Sequence, residues 1–130
     1  MAEESYPEEL RYHPEHDWAR IDGEEAVFGI TWYAQDTLGE IVFFDPPEVG
    51  AQLKSGESYA EVESVKAVSD VFSPMTGEVL EVNAAIGSSP ETINEDPYGE
   101  GWLVRVKLSD PSERDALLDA AAYKDLLETS

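Results

Sequence analysis

The chain is expected to fold as a mainly β body with short helices at its margins, and three features predict it. Short apolar segments with period-two alternation recur between residues 26 and 108. Nine glycines and eight prolines in 130 residues are enough to punctuate many strands. A helical apolar repeat is confined to the stretch after Asp110. Together these imply a sandwich or partly closed barrel, and the length suits one domain over 1–130.

The elements follow in order. The acidic residues 1–11 read as a loosely ordered N-terminus. Ala26–Ile30 is a short strand, after which Thr31 caps a helix through TWYAQDTL, with Gly39 as a left-handed stop. Glu40–Phe44 is a second strand, ended by Pro46 and Pro47, which lack ladder donors. A turn at Lys54-Ser55-Gly56 leads to Ser58–Ser64, where Tyr59, Glu61 and Glu63 alternate with Ala60, Val62 and Ser64. Ala67–Phe72 is its partner, so Ser64-Val65-Lys66-Ala67 must reverse the chain, although it contains no Gly, Asn or Pro. Ser73-Pro74 ends that strand, Thr76-Gly77 turns, and Glu78–Val82 resumes sheet. Residues 84–101 read as turns, with Asp96-Pro97-Tyr98-Gly99 delivering Trp102 to the core. In Trp102–Leu108, Trp102, Val104, Val106 and Leu108 share one face. Asp110 caps, Pro111 opens and Glu113 supports a C-terminal helical segment over 110–128, striped by Leu117, Leu118, Ala121, Ala122, Leu126 and Leu127.

Composition narrows the function. Eight basic against 29 acidic residues give a net charge of −21, which disfavours nucleic acid and anionic membranes as partners. Such a surface confers solubility and steers the chain toward basic patches. Without cysteine, disulfides, thiolate zinc sites and thiol nucleophiles are absent, so any sulfur chemistry must arrive with a cofactor. The start MAEESYPEEL resembles neither a signal nor a transit peptide, and no apolar run reaches the roughly 18 residues of a membrane span. The expected location is cytoplasmic.

Few residues could carry chemistry. His13 and His16, with Glu15 and Asp17, sketch a metal site, but Pro14 interrupts any helix and no third imidazole exists, so a structural pair is the simpler reading. The serines lack a nucleophile elbow, and no phosphate loop is present. Carboxylate pairs are too numerous to indicate acid–base work. Lys66 stands apart, one of only four lysines and placed at the expected hairpin tip. For an arbitrary protein a solvated turn lysine is the default. Glu61, Glu63 and Asp70 favour its charged form, which opposes a role as intrinsic nucleophile. A protruding amine on a rigid hairpin instead suits modification by an enzyme that brings its own base.

The segment ESVKAVSDVFSPMTGEVLEVN, residues 63–83, resembles the swinging-arm region of lipoyl carriers. GITWYAQDTLGEIVFFDPPEVG and INEDPYGEGWLVRVKLSD narrow the resemblance to the glycine cleavage H-protein family, from about Tyr12 to Leu127. The resemblance implies a barrel-sandwich hybrid of the lipoyl/biotinyl-carrier kind, with flanking short helices and a C-terminal helix. It implies lipoate carried covalently on Lys66, framed by Glu63, Ser64, Val65 and Ala67, with Asp70 and Gly77 downstream. Biotin carriers place their lysine in A-M-K-M, whereas Val65 and Ala67 flank Lys66 here, so lipoate is favoured.

The implied protein is a carrier and shared substrate, not an enzyme. Glycine decarboxylase (P protein) would load the arm with an aminomethyl group, and aminomethyltransferase (T protein) would unload it. Dihydrolipoyl dehydrogenase (L protein) would reoxidise the arm, and a lipoate ligase or octanoyl/lipoyl transferase would attach it. A monomeric shuttle suits such visits. Family members commonly carry S-H-E-W or E-H-E-W near the N-terminus; here Glu15-His16-Asp17-Trp18 puts Asp17 at the acidic position, one methylene shorter. Glu15, Asp70 and Thr37 match other positions of the cleft implied to hold the loaded arm. Trp32 stands where the family often has Asp and reads as a packing aromatic at a helix start. Two alternatives remain open: a lipoyl donor in a relay to 2-oxoacid dehydrogenases, and a non-lipoylated binding module of the same fold.

Overall fold

Ala26 lies opposite Val106 and Phe28 opposite Val104, so two strands of matching period lay their apolar residues on one face. The structure, a computed structural model, describes residues 3–129. Its strands are β1 (Arg11–His13), β2 (Asp17–Asp22), β3 (Glu25–Ile30), β4 (Ile41–Asp45), β5 (Gln52–Leu53), β6 (Ser58–Ser64), β7 (Val68–Phe72), β8 (Gly77–Val82) and β9 (Val104–Leu108). Helices α1 (Trp32–Leu38), α2 (Ala84–Ser88), α3 (Thr92–Glu95) and α4 (Ala120–Glu128) are joined by a 3₁₀ turn at Pro111–Ala116. One sheet runs β1-β2-β3-β9-β8-β5 and the other β4-β6-β7, with antiparallel pairing throughout. The mainly β, barrel-sandwich architecture read from the sequence is therefore the one observed.

The core lies between the sheets. Phe28, Ile41, Val62, Val71, Met75, Val79, Leu103, Val104 and Val106 are all at most 1% exposed there. Ile86 of α2 and Ile93 of α3 close it, each fully buried. Burying a side chain of this size stabilises by about 1.5–3 kcal/mol. α2 and α3 arise in the stretch that reads as turns, because five- and four-residue helices show no periodicity. β2 was equally silent: Asp17, Trp18 and Ala19 are buried in succession, which erases alternation.

A second, aromatic cluster joins the two ends of the chain. Tyr12 and Tyr123 stack with centroids 4.7 Å apart, and Tyr6, Leu10 and Trp18 surround them. Tyr12 and Leu118 exchange two backbone hydrogen bonds of 2.8 Å. The expected loose N-terminus is thus corrected over residues 3–11, since Tyr6 and Leu10 are buried against a surface that sequence alone does not pair with them.

The same exchange divides the expected C-terminal helix. Asp110 caps only the 3₁₀ turn, Leu118 is extended beside Tyr12, and Asp119 caps α4 by accepting from the Ala122 N–H at 2.8 Å. Ala120 and Tyr123 then form the buried face, with Leu126 and Leu127 only half-buried. Two smaller expectations also change. Gly39 ends α1 at φ 83° and ψ −155°, an extended conformation open to glycine, not a left-handed helical stop. Trp102 is half-buried, and Leu103 takes the fully buried place.

At Gly77, β8 lies against β9 with no room for a side chain. A Cβ there would fall on the Lys107 carbonyl and within 2.5 Å of Val106 Cγ1. Gly77→Ala should therefore destabilise by about 2 kcal/mol, a fall in Tm of roughly 6 °C by thermal unfolding. An unchanged Tm would show that the strands can part at no cost.

Candidate functional site: a hairpin tip and the cleft beside it

The reversal between β6 and β7 uses a serine where turns ordinarily use Gly or Asn. The Ser64 N–H donates to the Ala67 carbonyl at 2.7 Å. Its buried Oγ accepts from the N–H groups of Lys66 at 3.3 Å and Ala67 at 3.1 Å. The Val65 N–H donates to the Glu40 carbonyl at 3.1 Å, stapling the tip to the start of β4. Since β6 is paired on both sides, the tip projects from the central strand of its sheet. Lys66 is exposed on it. Its Cε passes 3.7 Å from where a Cβ on Gly39 would stand, so the stem runs along the end of α1.

That end is fixed from below by Asn94, a residue the sequence gives no reason to single out. Its Oδ1 accepts from the Ile41 N–H at 2.9 Å, while Nδ2 donates to Gln35 Oε1 at 3.0 Å and the Gly39 carbonyl at 2.8 Å. α1, β4 and α3 are thereby locked together behind the lysine.

A cleft of about 130 Å³ opens between α1, the β1–β2 turn and the β6–β7 pair. Ile30, Ala34, Leu38 and Val62 give it apolar walls, and Glu15, Asp17, Thr37 and Asp70 bring polar groups. The four residues singled out for the arm cleft therefore share one cavity. Glu63, Val65 and Ala67 stay with Lys66 at the exposed tip, whereas Gly77 lies in the other sheet. Trp32 packs on the aromatic cluster, and its N–H donates to Tyr98 Oη at 2.9 Å. Wider depressions of about 510 and 520 Å³ elsewhere are lined by no hairpin residue.

Both histidines have structural partners. His13 Nδ1 accepts from the Glu15 N–H at 3.1 Å. His16 Nδ1 lies 2.8 Å from Tyr123 Oη, which is also 2.8 Å from Thr31 Oγ1. His16 adopts φ 76°, a left-handed conformation that costs energy for a residue with a Cβ. Its ring sits 4.6 Å from that of Tyr33, and burial lowers its pKa against the opposing pull of Glu15. The strained turn aims Glu15 and Asp17 at the cleft.

Asp17 is 2% exposed. Burial pushes its carboxyl well above the usual range and Glu15 adds to the rise, while a hydrogen bond from the Phe72 backbone N–H works the other way.

From the rim of the cleft outward, the register sets Asp70, Glu61 and Asp45 side by side across three strands, and Val68, Glu63 and Phe43 beside them toward the tip. Phe43, Val65 and Val68 are 53%, 68% and 59% exposed, an apolar collar around Lys66 within an acidic field.

The family model described as Glycine cleavage H-protein matches residues 10–130. The glycine cleavage system H protein of Symbiobacterium thermophilum is 56% identical over 90% of this chain and 91% of its own. That of Anaeromyxobacter sp. is 53% identical over 94% of this chain and 95% of its own. A crystal structure of a glycine cleavage system H protein from Mycobacterium marinum matches with a TM-score of 0.86 and 40% identity, covering 94% of this chain and 98% of that one.

The raised pKa of Asp17 has a consequence for stability. The folded state binds this proton more tightly than the unfolded chain does, so stability falls as pH rises from about 4 through the folded-state value. Asp17→Asn should then raise Tm at pH 8 by roughly 3 °C, with the gain vanishing toward pH 4. A variant that is no more stable at pH 8 would mean the carboxylate is accommodated at no cost.

Proposed function

The chain belongs to the glycine cleavage H-protein family, and from that premise we propose that Lys66 is its lipoyl attachment site. The protein is a lipoyl carrier of the glycine cleavage system and works with the other components of that system. The observation that carries the assignment is the exposed lysine on a tip held by Ser64 and stapled to Glu40, beside a cleft walled by apolar side chains. Once attached, lipoate supplies the disulfide that accepts the one-carbon cargo and the dithiol that is later reoxidised.

The chain's own residues do the rest. The tip presents the arm without motion of the sheet beneath it. Ile30, Ala34, Leu38 and Val62 shelter its hydrocarbon, and a carboxylate among Asp17, Glu15 and Asp70 receives the cationic amine of the loaded arm away from water. The protein itself catalyses nothing in this reading and is a cytoplasmic shuttle. Its specific partners are glycine decarboxylase, aminomethyltransferase, dihydrolipoyl dehydrogenase and a lipoate ligase or octanoyl/lipoyl transferase. The apolar collar and its acidic surround favour enzyme surfaces with a basic rim.

Expression with lipoate and lipoate ligase, followed by intact mass and peptide mapping, tests the assignment. Wild-type protein should gain one lipoyl increment on Lys66; Lys66→Arg should gain none and keep its Tm within about 1 °C. An unmodified wild type, beside a carrier that was modified, would favour the binding-module alternative. Incubation of the lipoylated protein with the decarboxylase and labelled glycine separates glycine cleavage from the relay, since a relay donor takes up no label. In the same assay Asp17→Asn should lose the loaded label about tenfold faster, the loss of one charge-assisted contact; an unaltered lifetime would remove Asp17 from that role.

A further inference from the structure

Tyr59 breaks the alternation of β6. Ser58 pairs with Phe72 and Ala60 with Val71, so the ladder slips by one residue at Tyr59 and forms a β-bulge. Bulges re-aim side chains, and this one turns Tyr59 away from the solvent side that the alternation predicts. Its ring packs on the core 6.5 Å from that of Phe28. Its hydroxyl is buried and has no hydrogen-bond partner. Among the described residues one other buried side-chain polar atom is in the same condition, and it is Asp17 Oδ2.

The two orphans belong to one locality. Tyr59 packs against Phe28, which is paired with Ala19, and Ile30, two residues further along the same face of β3, is paired with Asp17. The charge of Asp17 also acts on Tyr59, adding to burial in opposing its ionisation, so the phenol keeps its proton for donation. The other groups facing Asp17 are Glu15 and His16 from the β1–β2 turn, His13 across β1, Asp70 of β7, Tyr33 of α1 and Tyr123 of α4. Glu15 and Asp70 cannot donate when ionised. His13, His16 and Tyr123 are engaged in the contacts already described.

We propose that the Tyr59 hydroxyl becomes the hydrogen-bond donor for Asp17 Oδ2 once that carboxyl is ionised, which makes Tyr59 the positioning residue for the carboxylate that receives the loaded arm. This rests on the role given to Asp17 above. A neutral Asp17 tolerates an orphaned oxygen, but an ionised one in a water-poor cleft needs a donor. Tyr59 supplies it from the core side, directly or through one ordered water. The hydrogen bond holds Oδ2 at the back and leaves the charge directed toward the cleft opening.

Tyr59→Phe tests this, since it removes the hydroxyl and keeps the ring. The unmodified protein gives a readout that requires no arm, the titration of the Asp17 carboxyl carbon by NMR. Its midpoint should rise by about one pH unit on losing a donor to the carboxylate, while Tm holds or increases slightly. An unmoved midpoint in the folded variant overturns the proposal. On the lipoylated protein the variant should shorten the lifetime of the loaded arm about fivefold, and should add nothing further in an Asp17→Asn background. Additive effects would also overturn it. A moved midpoint together with an unaltered arm lifetime in Asp17→Asn would leave the Tyr59–Asp17 bond standing and remove the arm-holding role instead.

Discussion

Ser64 Oγ accepts two consecutive backbone N–H groups, those of Lys66 and Ala67, and the geometry of the tip that presents Lys66 depends on that contact. A tight reversal between antiparallel strands ordinarily relies on residues that tolerate φ > 0, and this one has Val65 and Lys66 at its centre. The serine supplies locally what the backbone torsions do not, and it can because β6 buries it. Glu40 completes the constraint through its carbonyl bond to Val65, which ties the tip to a second strand. An amine fixed in this way loses little orientational freedom when an enzyme engages it. A flexible loop would have to be ordered in each of several encounters.

The cleft beside the tip is assembled from segments far apart in sequence, and the aromatic cluster makes that possible. Tyr123 on α4 stacks on Tyr12 and hydrogen-bonds both His16 and Thr31, so the C-terminal helix fixes the turn that carries Glu15 and Asp17 as well as the cap of α1. The positive φ of His16 is strain concentrated at the wall of the cleft, offset by that bond and by the ring contact with Tyr33. A buried Asp17 belongs to the same economy. The folded chain would be more stable above the carboxyl's folded-state pKa with a neutral side chain there.

Much of this was legible in the sequence where side chains act along their own strand. Ser58–Ser64 has the bounds read from the sequence and alternates from Ala60 to Ser64. Thr31 caps α1 through its side chain, accepting from the Ala34 N–H at 3.2 Å. The hairpin tip fell where the two strands require it, despite its unfavourable composition. The rest depends on contacts between distant segments, which no local pattern encodes. Leu118 reads as part of a helix until Tyr12 offers it a ladder, and Leu10 reads as part of a loosely ordered N-terminus until it is found buried in the cluster with Tyr123 of α4. Tyr59 shows the limit most sharply: its period-two position points outward, and only a bulge set by pairing with β7 reverses it. Asn94 left no signal at all, because a buried amide bridging three elements looks in sequence like any turn residue.

The acidic surface is best understood through the same hairpin. Asp45, Glu61 and Asp70 stand in one cross-strand row, an arrangement of like charges that weakens a sheet. On the six-stranded sheet the charges are paired instead, Arg105 reaching Glu25 at 2.8 Å and Glu81 at 3.1 Å. The unpaired row and the exposed Phe43 and Val68 thus mark the face that carries Lys66. A carrier serving several enzymes cannot bind any of them tightly without slowing its departure, so it gains most from a rapid encounter. An acidic face of this kind raises the association rate with any surface of opposite charge while leaving the short-range contact small enough to dissociate. Repulsion among the carboxylates is the stability cost of that arrangement, and the two aromatic and aliphatic cores beneath it supply the margin that lets the fold bear it.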